Sequence, residues 1–280
     1  MGIREKYGPW ALVAGGARGI GEAYVRFAAG AGLDVFVIDA DAEALQTTVA
    51  SVRDEHAVAC EGIEVDLADD AMLASVVRGV DAREVGLLVY NAALADVGPF
   101  FKPDSGLEHE LRKIAVNVRS PLALVHHFAR PMLARRAGGI VLMSSGTGLV
   151  GSPFYAHYAA TRAYNINLAQ GLWREFRPHG VDVLACIAGM TRSSWVDDAH
   201  AGEAGEGLHY QSCEEVVDEA MAALGTRPSL MTGEHNRSSF ELLSSLPLEQ
   251  RIEALAQHAI RNFLGGEEPK QALEPLPSRS

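Results

Sequence analysis

The first apolar run of the chain leads directly into a glycine-rich turn. Trp10-Ala11-Leu12-Val13 precedes a turn with the spacing G-x3-G-x-G, and a helix-like run begins at Glu22. Glycine permits a positive φ and a close approach of a ligand to the backbone. The N–H groups of a helix that begins after such a turn attract phosphate. A tight turn without a ligand is the alternative interpretation. The candidate dinucleotide-binding residues of the turn are Gly15, Ala17, Arg18, Gly19, Ile20 and Gly21.

Short apolar runs alternate with amphipathic stretches along most of the chain. The predicted strands are 10–14, 34–39, 57–65, 86–90, 139–144 and 181–187. The predicted helices are 19–31, 41–54, 69–79, 107–135 and 155–177. Near-continuous apolar strands separated by helices indicate a parallel sheet covered on both faces. Right-handed crossovers then give an α/β fold, a doubly wound parallel sheet of the Rossmann type.

The chain is expected to form one domain over residues 1–264. An amphipathic pattern over 247–263 predicts an added C-terminal helix that caps the substrate pocket or extends a subunit interface. Residues of about 192–212, which contain Trp195 and three glycines, are interpreted as a lid over the substrate. Residues 265–280 carry three prolines and are interpreted as a mobile tail.

Charge and cysteine content exclude several classes of protein. The 280 residues carry a formal net charge of −12, which disfavours nucleic acid or an anionic membrane surface as a partner. No apolar run approaches the roughly 20 residues that span a bilayer. The N-terminus lacks the apolar segment of a signal peptide. Three cysteines are too few for a disulfide framework, so reduced thiols and a cytoplasmic location are expected.

A carboxylate at the end of the second predicted strand bears on which dinucleotide binds. Asp39 follows Gly15 by 24 residues, where it can accept hydrogen bonds from the ribose hydroxyls and repel a 2′-phosphate. This favours NAD over NADP. Arg18 instead favours NADP, because a basic side chain in the turn can reach a 2′-phosphate. Asp39 as the N-cap of the helix at 41–54 is the alternative.

Two further strand ends carry candidate cofactor contacts. Asp66-Leu67 follows the third strand and is placed to meet an adenine ring. Asn91-Ala92 follows the fourth strand, where small residues let the backbone run close beneath a cofactor. Each pair is also compatible with ordinary strand-end chemistry.

A serine, a tyrosine and an arginine are further candidate site residues, at a strand end and on a helix face. Ser145 ends the fifth strand, Tyr158 follows 13 residues later, and Arg162 follows Tyr158 by four. The spacing of four residues puts Tyr158 and Arg162 on one helix face, with the cation beside the phenol.

In these motifs the chain resembles the short-chain dehydrogenase/reductase family, in its short single-domain subtype, over roughly residues 8–195. The resemblance implies a catalytic set of Asn117, Ser145, Tyr158 and Arg162. The family pattern has Lys where this chain has Arg162, Thr where it has Ala14, and Gly where it has Ala93. The resemblance also implies that Tyr158 and Arg162 contact the cofactor. Gly189, Thr191 and Ser193, after the sixth strand, are candidates for the nicotinamide end.

The resemblance implies a nicotinamide-dependent oxidoreductase that acts on a secondary alcohol or ketone. The cofactor is expected to be NAD, with NADP possible, and the assembly a homodimer or homotetramer. Leu, Phe, Trp and Met around the lid favour an apolar small-molecule substrate. A dinucleotide-binding sensor or scaffold with weak or no catalysis is the alternative, motivated by Arg162. No metal site is predicted, because His126 and His127 lack an acidic or cysteine partner at ligand spacing.

Overall fold

A parallel sheet of seven strands forms the centre of the molecule. The computed structural model describes residues 2–102, 105–192 and 210–272. The strands are β1 (Trp10–Ala14), β2 (Asp34–Asp39), β3 (Cys60–Glu64), β4 (Val85–Tyr90), β5 (Gly138–Ser145), β6 (Val181–Ala188) and β7 (Ser229–Met231). Their order across the sheet is β3-β2-β1-β4-β5-β6-β7, and every pairing is parallel. The predicted doubly wound parallel sheet is confirmed.

Helices cover both faces of the sheet. They are α1 (Ile3–Tyr7), α2 (Gly19–Gly30), α3 (Ala42–Glu55), α4 (Met72–Val80), α5 (Leu107–Ile114), α6 (Ser120–Arg135), α7 (Ala156–Phe176), α8 (Cys213–Ala223), α9 (Glu234–Ser244) and α10 (Leu248–Phe263). A π-helical turn, Ala115–Arg119, joins α5 to α6. Within the described ranges, no helix combines the length and apolar composition needed to cross a membrane.

The side chains of each strand alternate between two hydrophobic layers. In β1, Ala11 and Val13 pack with α2, α3 and α8, whereas Leu12 and Ala14 pack with α4, α6 and α7. All four are fully buried. Burial of both faces explains why the strands are apolar at almost every position instead of alternating with polar residues.

The structure departs from the sequence prediction in its helices and in its last strand. The helix predicted over 107–135 is interrupted by the π-turn, and the C-terminal helix predicted over 247–263 is present as α10. β7, α8 and α9 were not predicted. β7 has only three residues, too few for a periodic signal, and it forms because its backbone pairs with β6.

Two predicted segments are only partly described. Of the lid predicted at about 192–212, Arg192 and 210–212 are described, and 193–209 lie outside the described residues. The tail predicted over 265–280 is described as far as Ala272. Its N–H donates to the Phe101 carbonyl at 2.9 Å, and the Gln271 side chain accepts from the Phe101 N–H at 2.9 Å. This part of the tail is therefore held against the loop after β4.

The strand order sets the position of the cleft. From β1 the chain moves outward through β2 to β3, then returns to the other side of β1 for β4. Ligands of such sheets bind beside the carboxyl ends of the strands at this reversal. Because all the strands are parallel, Ala14, Asp39, Tyr90, Ser145 and Ala188 end at this same edge.

Candidate active site

The glycine turn is packed too tightly for side chains at two positions. Gly15 has φ +74°, and a Cβ on it would lie 2.6 Å from the Ala92 Cα. A Cβ on Gly21 would lie 1.8 Å from the Gly15 carbonyl oxygen. α2 begins at Gly19, and no described side chain caps its N-terminus. The turn thus presents a bare helix start at the sheet edge, as an anionic ligand requires.

Asn91 fastens this turn to the end of β4. Its Nδ2 donates to the Gly15 carbonyl at 2.8 Å. The backbone N–H groups of Asn91 and Ala92 both donate to the Ala14 carbonyl at 2.9 Å. The predicted pair Asn91-Ala92 therefore lies directly against the glycine turn.

The Asp39 carboxylate lies beside the same turn. Its Oδ2 accepts from the Ala17 N–H at 3.0 Å, and its Oδ1 accepts from the Asp41 N–H at 3.2 Å. Asp41, not Asp39, is the N-cap of α3, since its side chain accepts from the Ala44 N–H. The alternative interpretation of Asp39 as the helix cap is therefore wrong. Arg18 forms an ion pair with Asp41 at 2.8 Å.

Asp66 and Leu67 follow β3 in the chain. Asp66 accepts from the Ala68 N–H at 2.8 Å and from Arg112 Nη2 at 2.6 Å. The Leu67 carbonyl accepts from Ser120 Oγ at 2.6 Å, and its side chain is buried. Both residues are thus fixed by the segment that runs from α5 to α6.

Ser145, Tyr158 and Arg162 meet at one cleft. Its volume is about 370 Å³, and its lining includes all three residues together with Asn91 and Ile20. Ser145 ends β5, and its Oγ accepts from the N–H and the hydroxyl of Thr147 at 3.3 and 3.1 Å. A serine that accepts these two bonds keeps its own proton for another acceptor.

The Arg162 guanidinium is buried beneath the Tyr158 ring. Its carbon lies 5.1 Å from the ring centre, and the residue is 5% exposed. Nη1 donates to the Met143 carbonyl at 3.1 Å, whereas Nε is buried and has no hydrogen-bond partner among the described residues. The guanidinium therefore places a positive charge beside the aromatic ring of Tyr158.

Asn117 lies in the π-turn and is fully buried. Its Oδ1 accepts from the Leu94 N–H at 2.8 Å, and its Nδ2 donates to the Leu94 carbonyl at 2.9 Å and to Thr161 Oγ1 at 3.0 Å. Its backbone carbonyl accepts from Asn165 at 3.1 Å. The side chain thus joins the loop after β4 to α7 and is not part of the cleft lining.

The residues after β6 pack against α9. A Cβ on Gly189 would lie 2.2 Å from the Asn236 Cγ, so the amide of Asn236 covers this glycine. Thr191 is buried, and its hydroxyl donates to the Gly189 carbonyl at 3.2 Å. Gly189 and Thr191 both line the cleft. Ser193, the third predicted residue, lies outside the described residues.

The far wall of the cleft comes from α9, from α10 and from Met231 at the end of β7. Of these elements, the sequence predicted only α10. The wall is apolar apart from a few side chains. The lining residues there are Met231, Asn236, Ser239, Phe240, Leu243, Leu255, His258 and Phe263. In α9 the apolar residues Phe240 and Leu243 are one helical turn apart, and this spacing was the sequence signal for an apolar helix face. The surrounding polar residues of α9 obscured it.

Tyr155 lies between Tyr158 and this wall. Its ring centre is 6.4 Å from that of Tyr158 and 6.0 Å from that of Phe263. Burial raises the pKa of Tyr155 well above its ordinary value, and the nearby Tyr158 adds to the effect. Tyr155 therefore stays protonated and is not a base.

An ionic cluster lies next to Tyr158, in a second pocket that Tyr158 also lines. Lys113 is buried and contacts Asp96 as well as Glu110, the latter at 2.9 Å. His157 Nδ1 lies 2.5 Å from Glu110 Oε2. Asp96, His109 and Glu110 are close enough to bind a metal, but ammonium groups of Lys102 and Lys113 already neutralise the carboxylates. The sequence identified none of this cluster, because its members come from three separate segments.

The chain belongs to the short-chain dehydrogenase family. The family profile described as "short chain dehydrogenase" matches residues 9–204. Members of this family are oxidoreductases that bind a nicotinamide dinucleotide. The resemblance stated from the glycine turn and the Ser145, Tyr158 and Arg162 spacing is confirmed.

Individual relatives are similar over nearly their whole length. The chain is 29% identical to the 7beta-hydroxysteroid dehydrogenase of Collinsella aerofaciens over 242 residues, 85% of this chain and 91% of that protein. A solved structure of a 7beta-hydroxysteroid dehydrogenase superimposes with a TM-score of 0.86 at 27% identity, over 91% and 99% of the two chains. A short-chain dehydrogenase from Sphingobium yanoikuyae, solved with NADPH, gives 0.73 at 28% identity, over 97% and 100%.

Proposed function

We propose that the protein transfers a hydride between a nicotinamide dinucleotide and a secondary alcohol or ketone. The observation that carries this proposal is the convergence of Ser145, Tyr158 and Arg162 on one cleft. Tyr158 removes the hydroxyl proton of an alcohol or returns it to a ketone oxygen. Ser145 donates a hydrogen bond from its hydroxyl group to the same substrate oxygen and keeps its proton. Arg162 stabilises the phenolate form of Tyr158 through the transfer.

The glycine turn suits the dinucleotide. The close packing at Gly15 and Gly21 and the uncapped start of α2 support pyrophosphate binding by residues 15–21. Asp39, Asp66, Leu67 and Asn91-Ala92 would hold the adenosine half and the adjoining linkage. Gly189 and Thr191, with Ser193, would hold the nicotinamide end. When bound, the nicotinamide ring supplies the hydride acceptor or donor.

NAD is the proposed dinucleotide. Asp39 and Asp41 place two carboxylates beside the turn, and Asp41 already neutralises Arg18 at 2.8 Å. A 2′-phosphate would therefore meet two anions and a cation that is already paired. The relative from Sphingobium yanoikuyae, at 28% identity, was solved with NADPH, so the experiment has to compare both dinucleotides.

An apolar alcohol or ketone of considerable bulk is the proposed substrate. The wall that faces Ser145 and Tyr158 is built from aliphatic and aromatic side chains of α9 and α10. An apolar wall of this kind binds the apolar surface of a ligand, and a small number of polar groups fix the ligand's orientation. The similarity to 7beta-hydroxysteroid dehydrogenases supports a substrate of fused rings.

A homodimer or homotetramer in the cytoplasm is the proposed assembly and location. Leu107, Leu111 and Ile114 lie along one side of α5 and are 75%, 57% and 39% exposed. Such an exposed apolar stripe favours a second subunit as its cover. The three cysteines are free and buried, which suits a reducing compartment.

The experiment that tests this function is a panel of hydroxysteroids, other apolar secondary alcohols and the matching ketones, each with both dinucleotides. Oxidation or reduction of the nicotinamide is followed by absorbance. Tyr158→Phe should lower kcat by about 100-fold or more, since it removes the proton-transfer group. Tyr164→Phe, on the same helix, is the matched control. Dinucleotide binding without turnover of any compound would instead support the sensor or scaffold.

A further inference from the structure

We infer that His258 recognises a hydrogen-bond acceptor on the substrate, at the end remote from the reacting carbon. This inference rests on the proposed function, because it concerns the same cleft. His258 lies on α10 and lines the cleft together with Leu255 and Phe263. It is thus a polar group in a mainly apolar wall.

A continuous row of rings joins the reacting end of the cleft to His258. The ring centres of Tyr158 and Tyr155 are 6.4 Å apart, and those of Tyr155 and Phe263 are 6.0 Å apart. The His258 ring follows at another 6.0 Å from Phe263. A flat apolar substrate that lies along this row with its reacting carbon at Tyr158 brings its other end towards His258.

The hydrogen bonds of Asn262 determine which nitrogen of His258 carries the proton. The Asn262 Nδ2 donates to the His258 carbonyl oxygen at 2.9 Å, and a carbonyl oxygen only accepts. This bond identifies the atom as the amide nitrogen. The same Nδ2 lies 3.0 Å from His258 Nδ1, which must therefore be the accepting nitrogen. The proton of the neutral ring is then on Nε2.

The Nε2–H group is available to a ligand. Across the described parts of the chain, Nε2 has no hydrogen-bond partner, whereas Nδ1 is occupied by Asn262. Burial lowers the pKa of His258, and the nearby Arg261 lowers it further. The ring is therefore neutral at pH 7 and offers one N–H donor, which matches a hydroxyl, keto or carboxylate oxygen.

Two other polar side chains of this wall each have a contact within the protein. Asn236 Nδ2 donates to the Thr232 carbonyl at 2.9 Å, and its amide packs against Gly189. Ser239 Oγ lies 3.4 Å from His235 Nε2. His258 is thus the side chain on α10 that can orient an apolar substrate by a polar contact.

The test compares His258→Phe and His258→Gln with the unchanged protein. The probes are 7-oxosteroids that differ in one remote oxygen: a 3-hydroxyl against 3-deoxy, and a side-chain carboxylate against the terminal methyl. KM and kcat are measured with each probe, and Kd is measured by calorimetry in the presence of dinucleotide. His126→Phe, on the surface of α6, is the matched control.

The expected result is a preference of the unchanged protein for one oxygenated probe over its partner by about fivefold in KM, the value of one hydrogen bond. His258→Phe should abolish this preference through a larger change in KM than in kcat, and His258→Gln, which keeps an N–H donor, should restore it. A preference that survives in His258→Phe, or binding of both members of each probe pair by the unchanged protein with no preference, overturns the inference. The comparison of Kd values tests the inference even if no probe is turned over. Failure of the inference is therefore distinguishable from failure of the proposed catalysis.

Discussion

The guanidinium carbon of Arg162 lies 5.1 Å from the centre of the Tyr158 ring, four residues further along α7. The family pattern has a lysine at this position. The arginine retains the positive charge, because a guanidinium stays protonated at any ordinary pH. Its Nη1 donates to the carbonyl of Met143 in β5 at 3.1 Å.

The charge of Arg162, and not its shape, is expected to support turnover. Arg162→Lys should keep kcat within tenfold of the unchanged enzyme or raise it. Arg162→Met should lower kcat by about 100-fold, because the positive charge beside the proton-transfer group Tyr158 is lost. Steady-state kinetics with the best alcohol of the panel measure both. A loss above tenfold in Arg162→Lys would mean that the site depends on the guanidinium fork.

Dinucleotide preference should respond to the carboxylates beside the glycine turn. Replacing both Asp39 and Asp41 by Ala frees Arg18 and removes two anions, so kcat/KM with NADP should rise relative to NAD. Adding Arg18→Ala should cancel the gain, because no cation is then left for the 2′-phosphate. The ratio of kcat/KM for the two dinucleotides is the measurement. If the ratio is unmoved in the double variant, other residues set the preference.

Asn117 should matter for stability as well as activity. Asn117→Ala leaves the N–H and carbonyl of Leu94 without their buried partners, and each such loss costs about 1–3 kcal/mol. Urea unfolding should therefore show a loss of about 3 kcal/mol in the free energy of unfolding. Asn167→Ala, an exposed asparagine on α7, is the control. Equal stability of the two variants would contradict this role.

Acid sensitivity should be traceable to Glu110. Burial acts to raise its pKa, but the hydrogen bonds from His157 and Lys113 outweigh burial and hold the pKa below its ordinary value. A lowered pKa adds stability that is fully present above the unfolded value and is lost as pH falls through the folded value. Glu110→Gln should thus be less stable by about 2 kcal/mol at pH 7.

The difference between Glu110→Gln and the unchanged protein should shrink below the ordinary pKa of 4.5. Urea unfolding between about pH 3 and about pH 8 measures this change in the stability difference. Glu268→Gln, at an exposed glutamate of the tail, provides the comparison at every pH. A difference that stays constant with pH would rule out the ionised pair as its cause.

The sequence predicted the parts of the fold that depend on local pattern. Six strands followed from apolar runs, the shared helix face of Tyr158 and Arg162 followed from their spacing, and the place of Ser145 beside them followed from the family resemblance. The parts it missed depend on contacts between distant segments. β7 needs the edge of β6, and the partners of Lys113 come from the loop after β4 and from its own helix. The Leu94–Asn117 bond is of the same kind.

The π-turn between α5 and α6 makes the chain length critical at Ala115–Arg119. A π-turn contains one residue more than regular α-helix would use over the same rise. Deleting any one of these five residues would allow a continuous helix to form. The side chains of α6 would then nearly keep their orientation relative to α5, because the residue removed is the extra one that the π-turn holds. Asn117 would lose its place in this turn, so a change in residue count would break its bonds to Leu94 and to Thr161 of α7.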